Sequence, residues 1–279
     1  MTHVHPPRFV RSPDGSLIAY EIFAGVEPAV VILHGLAGSR REFESTARAL
    51  AGRKVIIVDQ RGHGDSTRRP PSMSREAFVA DAVAVIEAAS TRPVYLVGQS
   101  MGAHTAMLVA ATHPHLVDRL IMLEVSQGGD APEHADEIGQ YFSSWSIPYA
   151  NESAALAELG GSPLAPAWVA DMETTAEGLR PRFDADVMVR AAADLREERW
   201  VEWERVVSPS LVVYADGGMF DEAQKARFLD RNRLAIRADL QGASHDAHLD
   251  AFEQWIHVLV SFIGGEHAGH RRTESHRQL

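Results

Sequence analysis

Two kinds of apolar pattern alternate along the chain. Short runs rich in β-branched residues recur at "AVVIL" (29–33), "KVIIVD" (54–59), "VYLVG" (94–98) and "LIMLEV" (120–125). Each is too short for a helix and apolar at successive positions, the mark of a strand buried on both faces of a parallel sheet. "SLVVYAD" (210–216) and "LAIRADL" (234–240) extend the series. Near the start, "RFVRS" and "SLIAYEIF" flank the turn signal Pro13-Asp14-Gly15, which predicts a hairpin. Helical patterns fill the gaps at about 40–51, 74–90, 101–113, 221–230 and 247–263. This alternation predicts an α/β fold, with a mostly parallel central sheet of about eight strands flanked by helices.

The rhythm stops after the sixth strand. Residues 126 to about 207 hold no buried-strand run, only helical patches separated by "GGDAP", "SIPYA", "GGSPLAP" and "GLRPRFD". A plain loop of that length is out of place in a compact domain. The expectation is a helical cap, residues 126–205, inserted between core segments 1–125 and 206–264. Phe142, Trp145, Tyr149, Trp168 and Trp200 concentrate there. Of these, Phe142, Trp145 and Trp168 are the candidates for an apolar substrate-binding wall; the competing reading is the cap's own core. The tail, 265–279, reads as polar and flexible. Its His267, His270 and His276 read as solvated side chains rather than metal ligands.

Composition removes several function classes. The net charge is −11 with no basic block to offset it, which argues against nucleic acid. No apolar run approaches bilayer length, and the first residues lack the basic start and apolar core of a signal peptide. The expected location is therefore cytoplasmic, with no membrane partner. The absence of cysteine excludes disulfides, a thiolate nucleophile and cysteine-ligated metal. Nothing signals a metal or an organic cofactor.

The chemistry concentrates at Gly98-Gln99-Ser100-Met101-Gly102, where a buried strand gives way to the helix-favouring "AHTAMLVAA". A sharp strand-to-helix turn lifts one side chain above the sheet edge, and small residues two positions either side leave room for it. The serine oxygen then sits near a helix N-terminus, where negative charge is favoured. "LHGLAGS" (33–39) follows the first parallel strand and "DQRGHGDS" (59–66) the second. Together these stretches resemble the α/β-hydrolase family, over roughly residues 8–125 and 206–264.

The resemblance implies a serine hydrolase with Ser100 as nucleophile and the backbone N–H groups of Leu36 and Met101 as its oxyanion hole. It places the base in "LQGASHDAHLD" (240–250), with His245 ahead of His248. The acid is less clear. Aligning "LVVYADGG" on the family pattern puts Gly218 where an aspartate is usual, a departure that leaves Asp216 two residues early and Asp221 three late. Some relatives carry the acid at the end of the preceding strand, which here is Glu124. An ionisable group inside an apolar strand is costly unless paired, so Glu124 ranks ahead of Asp216 and Asp221. His34 and His63 are expected to be structural. The expected substrate is a small, mainly apolar carboxylic ester or lactone. The same triad also suits a C–C bond hydrolase, a lyase or a perhydrolase, and the fold suits a non-catalytic receptor. Ser100 argues against a dehalogenase, which would be expected to carry aspartate there.

Overall fold

The computed structural model describes residues 6–129 and 133–265; residues 266–279, including His267, His270 and His276, lie outside the described residues. The strands are β1 (Arg8–Arg11), β2 (Leu17–Phe23), β3 (Val26–Leu33), β4 (Arg53–Val58), β5 (Val94–Gln99), β6 (Val117–Leu123), β7 (Glu173–Thr175), β8 (Gly178–Arg180), β9 (Ser210–Gly217) and β10 (Ala235–Ser244). Eight of them form one sheet in the order β1-β2-β4-β3-β5-β6-β9-β10. β1 pairs antiparallel with β2, and β2 antiparallel with β4. Every other pairing in this sheet is parallel, and β7 and β8 pair antiparallel as a separate ribbon. The first two strands are the hairpin that Pro13-Asp14-Gly15 predicts.

Side chains alternate across a strand, so each apolar run feeds two cores. Val31 and Leu33 of β3, Leu96 of β5 and Met122 of β6 face one side, against the helices Arg75–Ala89 and Met101–Thr112. Val30, Ile32, Val97 and Leu123 face the other, against the helices Glu44–Ala49 and Phe252–Gly264. This two-sided burial is why the central runs show no polar alternation.

The strand order also fixes where a ligand can sit. From β3 the chain steps outward to β4, then returns to place β5 on the other side of β3. The segment after β3 goes to one face of the sheet and the helix after β5 to the other. The loops that leave these two neighbouring strands therefore diverge and open a crevice at their C-terminal ends.

The insertion after β6 contains the helices Glu133–Ser143, Glu152–Leu159, Ala165–Asp171 and Ala185–Ala193, plus the short β7–β8 ribbon. The ribbon is partly exposed and carries no run of buried apolar residues, which is why no strand was legible there. The helix Trp200–Arg205 packs elsewhere. Trp203 stacks on Phe228 at 4.5 Å and donates to its carbonyl at 2.7 Å, and Trp200 lies 6.4 Å from the same ring. Trp200 thus belongs with the sheet's helical layer, not with the insertion's aromatic residues. Among the described residues no helix is long and apolar enough to cross a membrane.

Candidate active site

Ser100 follows β5 with φ 52° and ψ −119°, a left-handed backbone that a side chain rarely adopts. The strain is held from both sides. Ser100 N–H donates to the Leu123 carbonyl at 2.9 Å, and the Ser100 carbonyl accepts from His104 N–H at 3.0 Å. The flanking glycines are required by close approach. A methyl group on Gly98 would overlap the Gly102 carbonyl, and one on Gly102 would overlap the Leu33 carbonyl. Met101, the first residue of the following helix, carries one of the N–H groups that have no partner within the helix. Leu36, Ser100 and Met101 all line one cleft of about 440 Å³.

His245 and Glu124 line the same cleft. His245 is the first residue after β10, and its Nδ1 stands 3.2 Å from Glu124 Oε2. A ring that donates from Nδ1 keeps a lone pair on Nε2 for use as a base. The histidine's loop is tied at several points. Asp216 accepts from Gly242 and Ala243 N–H at 2.9 and 3.0 Å, Asp250 accepts from Ser244 N–H at 3.1 Å, and Gln99 Nε2 donates to the His245 carbonyl at 3.2 Å.

Glu124 is fully buried and also has a left-handed backbone, φ 53°. Its carboxylate accepts from Ala215 N–H at 2.8 Å and Met219 N–H at 2.9 Å, besides facing His245. These donors meet the burial cost that made the residue conspicuous in sequence. Gly218 explains the departure from the family pattern. A methyl group at Gly218 would overlap both Glu124 oxygens, so the Glu124 side chain, just past the end of β6, fills the space that a residue at 218 would otherwise enter.

The other carboxylates have different work. Asp216 clamps the 242–243 turn, and those two backbone donors hold its pKa below the ordinary value. Asp221 caps the helix Glu222–Asp230, accepting from Gln224 N–H at 2.8 Å. Neither contacts His245 through a hydrogen bond among the described residues. His248 is buried and stacks on Phe43 at 4.4 Å, with Nε2 3.6 Å from Glu42. Burial pushes its pKa down to about 4. His34 and His63 are buried too. Nε2 of His34 accepts from Gln60 N–H and its Nδ1 lies 2.7 Å from the Gly35 carbonyl. Nε2 of His63 accepts from Ala37 N–H and its Nδ1 lies 2.8 Å from the Arg61 carbonyl. In both rings the proton is therefore on Nδ1, and both brace the loop that carries Leu36.

A family model described as alpha/beta hydrolase fold matches residues 28–252. The chain belongs to this family. It is 41% identical over 120 residues to the mouse (Mus musculus) sn-1-specific diacylglycerol lipase ABHD11, a match that covers 42% of this chain and only 38% of that one. It is 26% identical over 252 residues to 2-(acetamidomethylene)succinate hydrolase of Mesorhizobium japonicum, covering 86% of this chain and 89% of the relative. A crystal structure of E-2-(acetamidomethylene)succinate hydrolase superposes with a TM-score of 0.85 at 23% identity, over 93% of this chain and 99% of that one. That superposition shows the fold.

Within this alpha/beta-hydrolase scaffold the aromatic residues expected at the cleft stand elsewhere. Phe142, Trp145 and Trp168 do not line it; they pack edge-on and tilted, 5.1–6.3 Å apart, as the insertion's own core. Large apolar rings bury the most area, and the insertion needs them internally. Its contribution to the cleft comes from Ile138, Leu164, Ala192 and Leu195. Gln99, Met219 and His104 also line the cleft. Only Gln99 carried a signal, as the variable residue inside the serine motif.

Proposed function

We propose that the protein is a serine hydrolase acting on a small, mainly apolar carboxylic ester or lactone. Hydrolase activity as such is supported by the family match and by relatives named as hydrolases. The observation that carries the finer reading is the His245–Glu124 pair, 3.2 Å apart, in the same cleft as a serine held at positive φ.

In this reading Ser100 Oγ attacks the carbonyl carbon while His245 Nε2 removes its proton. Glu124 fixes the ring tautomer and stabilises the imidazolium. The N–H groups of Leu36 and Met101 hold the oxyanion, each worth about 2.7–4 kcal/mol in the transition state. His245 then returns the proton to the departing alcohol, leaving an acyl-enzyme on Ser100. Water, deprotonated by the same histidine, attacks that acyl carbon; Ser100 Oγ leaves and takes the proton. The insertion serves as a cap, closing the cleft with aliphatic side chains that suit an apolar chain.

The test is turnover on a panel of esters, lactones and amides, with Ser100→Ala and His245→Ala alongside. Both substitutions should lower kcat by about 10⁴-fold or more. Variants that match the wild type would refute the mechanism.

A further inference from the structure

Gln99 ends β5, immediately before Ser100. Side chains alternate along a strand, so it shares the face of Tyr95 and Val97 and is turned away from that of Leu96. It is 3% exposed, and an amide buried at that depth is costly unless it is bonded. Two contacts reach loops that leave other strands. Nε2 donates to the His245 carbonyl at 3.2 Å, just after β10. Oε1 lies against Gly35, in the turn after β3: a methyl group on Gly35 would overlap that oxygen.

His245 needs such a hold. Its side chain is 26% exposed, so packing alone does not fix the ring. Glu124 grips Nδ1, a single contact about which ring and backbone can still pivot. Asp216 and Asp250 pin the backbone N–H groups of residues 242–244, all of them before the histidine. Gln99 pins the carbonyl of His245 itself, and does so from the residue next to Ser100. Serine and base are thereby referred to the same strand end. The contact with Gly35 brings in the third part, because Leu36 follows Gly35 directly.

We propose that Gln99 is a positioning residue: one amide holds the His245 backbone and the Leu36 turn in register with Ser100. The inference rests on the serine-hydrolase reading and deepens it, since a misplacement of about 1 Å in a reacting group costs about 10²-fold in rate. Glutamine meets both demands, with the length to reach the His245 carbonyl and an N–H to donate to it.

The experiment separates position from fold. Gln99→Met keeps the length and removes the donor. With p-nitrophenyl butyrate, kcat per active site, counted by fluorophosphonate titration run to completion, should fall about 10–100-fold while KM stays within about threefold. A loss of folded protein alone would lower the number of sites and leave kcat per site unchanged. A double-substitution cycle through Gly35 supplies a second readout. Gly35→Ala should lower kcat about tenfold or more by pushing the amide off His245. In Gln99→Ala, where that space is free, the same methyl group should cost less than about threefold. The cycle decides the matter if Gln99→Met yields no folded protein. Wild-type kcat per site in Gln99→Met, or an equal cost of Gly35→Ala in both backgrounds, overturns the proposal. If the wild type neither takes the label nor hydrolyses the ester, the hydrolase reading itself fails; if it does both and Gln99→Met matches it, the Gln99 assignment fails on its own.

Discussion

Glu124 and Gly218 act as one unit. The glutamate reaches His245 from the end of β6, and its carboxylate fills the space next to the bare Cα of Gly218. Two substitutions probe this. Glu124→Gln keeps the shape but presents an amide to the imidazole, so kcat should fall by about 10³–10⁴-fold. Gly218→Ala leaves the carboxylate in place chemically but displaces it, and should cost about 10²-fold in kcat. Asp221→Asn, at a helix cap on the surface, is the control and should stay within a factor of a few. Full turnover in Glu124→Gln would assign the acid elsewhere. Glu124 was legible in sequence because a charge inside an apolar strand needs a reason. Why 218 is glycine was not, since that depends on how two separate strand ends meet.

Among the elements, those that follow from local pattern were legible and those that follow from packing were not. β3 to β6 are runs buried on both faces, and the Ser100 turn is encoded by glycines at fixed offsets. By contrast, Phe142, Trp145 and Trp168 stay open in sequence between a substrate wall and the cap's own core, because aromatic density alone does not reveal which way rings point. Trp168 instead ties the insertion to the core: its Nε1–H donates to the Ala37 carbonyl at 2.9 Å, in the loop that carries Leu36. Trp168→Phe removes that donor and leaves a buried carbonyl short of a partner, a loss of about 1–3 kcal/mol. Thermal unfolding should show a lower Tm. An unchanged Tm would mean that this hydrogen bond does not couple the two parts.

For the molecule as a whole, buried titratable groups set opposite slopes of stability against pH. His34, His63 and His248 are held by burial down to about 4, 3 and 4. The unfolded chain binds those protons first as pH falls, so their contribution is complete above about 6.5 and is lost in acid. Glu42 runs the other way: burial pushes it up to about 8. The folded chain keeps that proton after the unfolded chain has released it, so its contribution is complete below about 4.3 and is lost as pH rises toward 8. Asp171, pushed up to about 7, adds to the same limb. Glu42→Gln should therefore gain stability relative to the wild type between pH 5 and 9, read as a widening difference in urea midpoint. A constant difference would show Glu42 to be ionised in the folded chain. The account as a whole depends on one hydroxyl being activated by one imidazole. The most direct measurement is intact-mass and peptide mapping after treatment with a fluorophosphonate. The account predicts a single adduct at Ser100 that is lost in His245→Ala; no adduct, or labelling indifferent to His245, would contradict it.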